Sequence, residues 1–120
     1  MSYAEFQERF EREAEAEYER YLALPADALV EAVRSGRFGA YYSLWRAVAA
    51  RASVAEAGWA LYDVIAGDAP YLVRYHAADA LLSLLQSRRL VAADLAVESP
   101  RQREWLDVVR EELQARHPGP

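Results

Sequence analysis

At 120 residues, 53% of them apolar or aromatic and 28% charged, the chain has the make-up of one folded domain with room for a single core. It contains no Cys, which excludes disulfides, thiolate nucleophiles and Cys-ligated zinc together. Its net charge of −5 suits a phosphate backbone poorly, and seven Glu against three Arg between Tyr3 and Tyr21 place −4 of it in the leading segment.

All fourteen cations are Arg, which with the abundant Ala reads as the codon bias of a GC-rich genome. Met1 to Phe10 carries Glu5, Glu8 and Arg9, with neither a basic start nor an apolar stretch behind it, so it does not read as a signal peptide. No uncharged apolar run approaches the roughly 18–20 residues that span a bilayer. A reducing, bacterial-type cytoplasm is the expected compartment, with no membrane contact.

The first element, residues 2–24, is a long acidic helix. Phe6 and Phe10 fall four apart, Ala14 and Tyr18 continue the row, and Tyr3, Tyr21 and Leu22 lie near it, making one aromatic stripe. Glu5–Arg9 and Glu8–Arg12 sit in the favoured i,i+4 order on other faces. A wet stripe of this size is costly, so it is expected to pack on the body or to form a homodimer seam. Pro25 ends the helix, because the residue before a proline resists helical dihedrals.

The body, residues 27–117, opens with Asp27 as an expected N-cap for a short helix through Arg34. Gly36 and Gly39 interrupt the pattern and supply left-handed turn positions. A helix over 40–52 carries Tyr41, Leu44, Trp45 and Val48. Ser53-x-x-Glu56 is a capping box that opens a helix through Ile65, closed by Gly67. Asp68-Ala69-Pro70 reads as a cap with an early proline, followed by a helix over 71–86. Leu90 to Val97 is a short apolar helix, a strand being the lesser alternative because Ala dominates it, and Ser99-Pro100-x-Gln102 starts the last one. No stretch alternates with period two. The expectation is all-α, with about six to seven helices.

Sliding the chain on itself by about 32 residues superposes Leu29 and Val33 on Leu61 and Ile65, and the helix over 40–52 on that over 72–84. A looser third copy starts near Leu90. The middle copy, Leu61-x-x-Val64-Ile65 with Asp68, Val73-Arg74, Ala77-Ala78 and Ala80-Leu81, is similar to a HEAT repeat. The resemblance covers about 25 residues. It implies stacked helical hairpins, with Ala77 and Ala78 allowing close approach and Asp68 and Arg74 on the turns between hairpins. The first copy departs from the pattern, having Tyr41-Tyr42 for Val-Arg and Gly36 for the turn Asp. An irregular orthogonal bundle is the alternative architecture.

Catalytic signatures are sparse. His76 and Asp79 lie i,i+3, but a metal or general-base site needs a third converging group. The Ser residues lack a nucleophile elbow, and there is no Gly-rich phosphate loop. No catalytic residue, metal or cofactor is therefore assigned. Tyr, Trp and Arg are the types enriched at binding hot spots. Arg37, Tyr42, Arg46, Arg74 and Tyr75 are the candidate surface for a protein or peptide, provided that their helices are neighbours. The sequence thus reads first as a non-catalytic protein-interaction module. Two alternatives rank below it: a nucleic-acid-binding helical repeat using Arg88, Arg89, Arg101 and Arg103, and a small enzyme or ligand carrier centred on His76.

Overall fold

The structure is a computed structural model that describes residues 2–118. Among these residues there are seven helices and no strand: α1 Tyr3–Leu22, α2 Ala26–Arg34, α3 Ser43–Arg51, α4 Val54–Ala66, α5 Tyr71–Leu85, α6 Ala92–Ala96 and α7 Pro100–Arg116. The all-helical expectation is met.

Several helix ends follow directly from local chemistry. Ser53 Oγ accepts the Glu56 N–H at 3.2 Å, and the Glu56 carboxylate accepts the Ser53 N–H at 3.0 Å, so the expected box is closed. Gly36, at φ +77°, ends α2 by letting the Arg37 N–H reach Ala32 O at 3.0 Å. Ser99 accepts the Gln102 N–H at 3.2 Å, but the Gln102 amide turns away from the cap and donates to Leu95 O at 2.7 Å. That contact ties α7 to α6.

Other ends differ from the sequence reading, each for a backbone reason. Pro25 rather than Asp27 is the N-cap of α2, its carbonyl accepting from Ala28 and Leu29. Pro70 replaces Asp68 at the start of α5. Helix α3 begins at Ser43 and not near Ala40, because Gly39 (φ +75°) and Tyr42 (φ +60°) are both left-handed and cannot continue a right-handed helix. Gln86, at φ +56°, stops α5, and the Ser87 N–H then closes the end on Leu82 O at 3.0 Å.

The helices pack in two rows. Helix α2 lies against α4 and α4 against α7, while α1 lies against α3, α3 against α5 and α5 against α6; the α4–α5 pair makes the most extensive contact between them. Each helix from α2 to α7 contributes fully buried side chains, including Leu29, Leu44, Leu61, Leu81, Leu95 and Leu113. Ala47, Ala57, Ala77 and Ala78 are completely buried at the crossings, where a larger group would separate the backbones. Gly58 serves the same purpose, since a Cβ there would stand 2.7 Å from Leu113 Cδ2. The Trp59 indole donates to His117 O at 2.6 Å and holds the end of α7.

Candidate interaction surface

Helix α1 is fastened to the body mainly by its C-terminal half. Glu17, 7% exposed, accepts the Ala40 N–H at 3.0 Å and the Tyr41 N–H at 3.3 Å. Those donors precede α3 and have no helical partner, so the carboxylate supplies what a cap would. Ser43 Oγ donates to Ala14 O at 3.1 Å, and the Arg46 guanidinium lies 3.9 Å above the Tyr18 ring. Gly39 makes this approach possible: a Cβ there would fall 2.7 Å from Tyr21 Oη and 2.8 Å from Glu17 Oε1.

The other half of α1 extends past these contacts. Every residue from Ser2 to Glu13 is exposed, with Tyr3 at 80%, Phe6 at 57% and Phe10 at 48%. The expected aromatic stripe is therefore split. Tyr18, Tyr21 and Leu22 pack against the core, and Tyr3 and Phe6 overhang it. Only Phe10 meets a ring of the body, edge-on to Tyr41 at 5.1 Å. Polar contacts sustain the overhanging turns: Ser2 caps the Glu5 N–H at 3.2 Å, and Arg9 pairs forward with Glu13 at 3.0 Å rather than back to Glu5. Glu13 also takes a hydrogen bond from the Tyr41 hydroxyl. That bond first, and Arg9 second, hold its carboxyl below the ordinary range, while the Tyr41 phenol is pushed up.

A second aromatic group lies where α3 meets α5. Tyr42 stacks on His76 with centroids 4.2 Å apart and planes 18° from parallel; His76 is edge-on to Tyr75 at 5.6 Å, and Tyr75 leans on Tyr71 at 6.1 Å. Tyr75 and Asp79 form one wall of an open groove of ≈ 570 Å³ that runs past Ser83 and Gln86 to Arg88 and Val91. Burial lowers the His76 pKa below its ordinary value, against the opposing pull of Asp79. A base whose folded pKa is depressed favours the folded state while neutral. Its contribution is full above about pH 6.5 and fades as the pH falls toward the folded value. An NMR titration should find the His76 ring titrating below the ordinary imidazole value, and Tyr42→Ala should move it back up by giving the ring to water. An unmoved titration would disprove the burial account.

No family model, curated protein or solved structure matches the chain. Of the residues singled out in the sequence, Tyr42 and Tyr75 are brought together, with His76 between them. Arg46 is drawn away to Tyr18 and to Glu15, 4.0 Å distant. Arg37 lies exposed in the α2–α3 turn. Arg74 is buried: its Nε donates to Ala69 O at 2.9 Å and its Nη2 lies 3.6 Å from Glu98, so it braces the α4–α5 turn against the segment after α6.

Arg88, Arg89, Arg101 and Arg103 are all exposed, with Arg101 5.4 Å from the centre of the Trp105 ring. Among the described residues, no three His, Asp or Glu side chains gather as a cation site, and no helix is long and apolar enough to cross a membrane. Glu17 escaped sequence reasoning because it looks like one more Glu on an acidic helix. Its position in the row of Phe10, Ala14 and Tyr21, on the aromatic face, was the available signal.

Proposed function

We propose that the chain is a non-catalytic interaction module whose binding face is centred on the overhanging half of α1. The observation that carries this reading is the exposed row of Tyr3, Phe6 and Phe10 on a capped, salt-bridged helix that the body first meets at Phe10 and grips further along. Scattered apolar side chains on a surface need no explanation, but three rings in one row do. At ~200 Å² per ring and the exposures above, they offer roughly 350–400 Å² of continuous apolar surface. The Tyr42–His76–Tyr75 cluster with its groove is a second contact area of the same module, Tyr71 extending it.

The α2–α3 and α4–α5 pairs are read as HEAT-like hairpins. The packing of α2 on α4 and of α3 on α5 supports this, being the arrangement that stacked hairpins call for. In this reading the body is a rigid support, and the reducing cytoplasm is its compartment.

A photo-cross-linking amino acid at position 6, expressed in the native host beside a control at position 103, tests the reading. One recurring adduct at position 6, identified by mass spectrometry and missing at 103, is the expected result. Equal labelling at both positions, or none at 6, would refute the binding face.

A further inference from the structure

We infer that the groove along α5 binds a short zwitterionic peptide, about three residues long with both ends free. This rests on the groove's place in the interaction reading above and names its ligand. Four polar side chains line the groove: Asp79, Ser83, Gln86 and Arg88. None of them makes a side-chain hydrogen bond or an ion pair with another described residue, so their polar atoms are open to a ligand. Buried Leu82, Leu90 and Ala92 form an apolar floor beneath them. A volume of ≈ 570 Å³ with this mixture of surfaces suits a small ligand.

Backbone strain marks the same place. Among the described residues, Tyr42 and Gln86 are the non-glycine residues at positive φ. Gln86 ends α5 at φ +56°, where Gly would sit without cost, and keeps its carboxamide in the groove. Tyr42 stacks on His76, which is edge-on to the Tyr75 wall and steadies it. Strain carried by non-glycine residues concentrates at ligand sites.

Charge and length select the ligand. Asp79 lies seven residues before Gln86 on α5, a rise of roughly 10 Å, and Arg88 follows Gln86. Three extended residues span about the same distance. An ammonium end would pair with Asp79 beside the Tyr75 ring, and a carboxylate end with the Arg88 guanidinium. The peptide groups between them fall to Ser83 and Gln86, whose side chains both donate and accept. A ligand of one sign throughout would set one end of the groove against its own charge.

The test is an NMR titration of the full, isotope-labelled chain with the tripeptide alanyl-leucyl-alanine, and with the same peptide acetylated at one end or amidated at the other. The free peptide should shift the Ser83, Gln86 and Val91 amides saturably, and each blocked form should bind about ten-fold more weakly. Asp79→Asn should bind the free and acetylated peptides alike, and Arg88→Gln the free and amidated ones. Both residues are exposed, so these variants should melt with the parent. Gln86→Gly relieves the strained turn, so it should melt no lower than the parent and still bind several-fold more weakly.

Equal binding of the blocked peptides, or no saturable shift in the groove at about 10 mM free peptide, would overturn the proposal. So would shifts gathered over Tyr3 to Phe10 instead, which would place the peptide on the α1 overhang. Where these failures come with persisting position-6 adducts, the interaction reading stands without this ligand. Groove binding that survives loss of the adducts would support the ligand and remove the α1 face.

Discussion

Replacing Glu17 with Ala is expected to cost roughly 2–3 kcal/mol in urea unfolding, because two part-buried backbone donors, on Ala40 and Tyr41, lose a charged acceptor at once. The damage should be local in origin. Hydrogen exchange at Ala40 and Tyr41 should rise first, with the C-terminal half of α1 following as its anchor to the α2–α3 turn goes. Glu17→Gln should cost about half as much, since a carboxamide keeps one acceptor oxygen but turns its NH₂ toward the second donor. The Gly39 turn makes compensation by backbone movement difficult: it already brings its Cα close enough that an added Cβ would collide with both Tyr21 and Glu17. A Glu17→Ala protein within 0.5 kcal/mol of the parent would show that α1 is held by its ring contacts alone.

The second large effect is at the α4–α7 crossing. Leu113 is fully buried, and Leu113→Ala is expected to destabilise by roughly 3 kcal/mol through lost transfer energy plus the cavity left behind. Gly58 turns this into a sharper test. An Ala at position 58 gains about 1 kcal/mol of helix propensity but places its Cβ 2.7 Å from Leu113 Cδ2. In the parent the collision should win, since fully buried Leu113 can yield only by displacing its core neighbours, and Gly58→Ala should cost about 1 kcal/mol net. In the Leu113→Ala background the same change should instead stabilise by about 1 kcal/mol, as the new methyl enters the vacated volume. Thermal or urea melts of the four proteins in the cycle measure it. Additive effects would mean that α4 and α7 can separate at no cost, contrary to the close packing.

These two sites also separate what an isolated reading of residues can and cannot reach. Tyr42 illustrates the difficulty. In the sequence it is an aromatic within a helix-like run; in the fold it is left-handed, it ends the loop before α3 and it stacks on His76, thirty-four positions away. A bulky side chain at positive φ carries a cost of about 1–2 kcal/mol, which only tertiary contacts can offset. Arg74 is similar. In the sequence it belonged to the candidate patch with Tyr42 and Tyr75, yet Ala69 O and Glu98 draw it inward. Arg46, expected in the same patch, is taken by Tyr18 of α1.

The residues alone determined the helical class, most helix ends and the acidity of α1. The capping box at Ser53, the left-handed Gly36 and the stop at Pro25 act within about five residues, where backbone hydrogen bonding is short-ranged. Which aromatic rings are covered was decided only in three dimensions. Tyr3 and Tyr21 share a face and a residue type, but one overhangs and the other packs, because Glu17 and Gly39 fix where along α1 the body begins. Helical periodicity marks a face as apolar, and the length of that face that finds a neighbour depends on contacts between segments far apart in the chain.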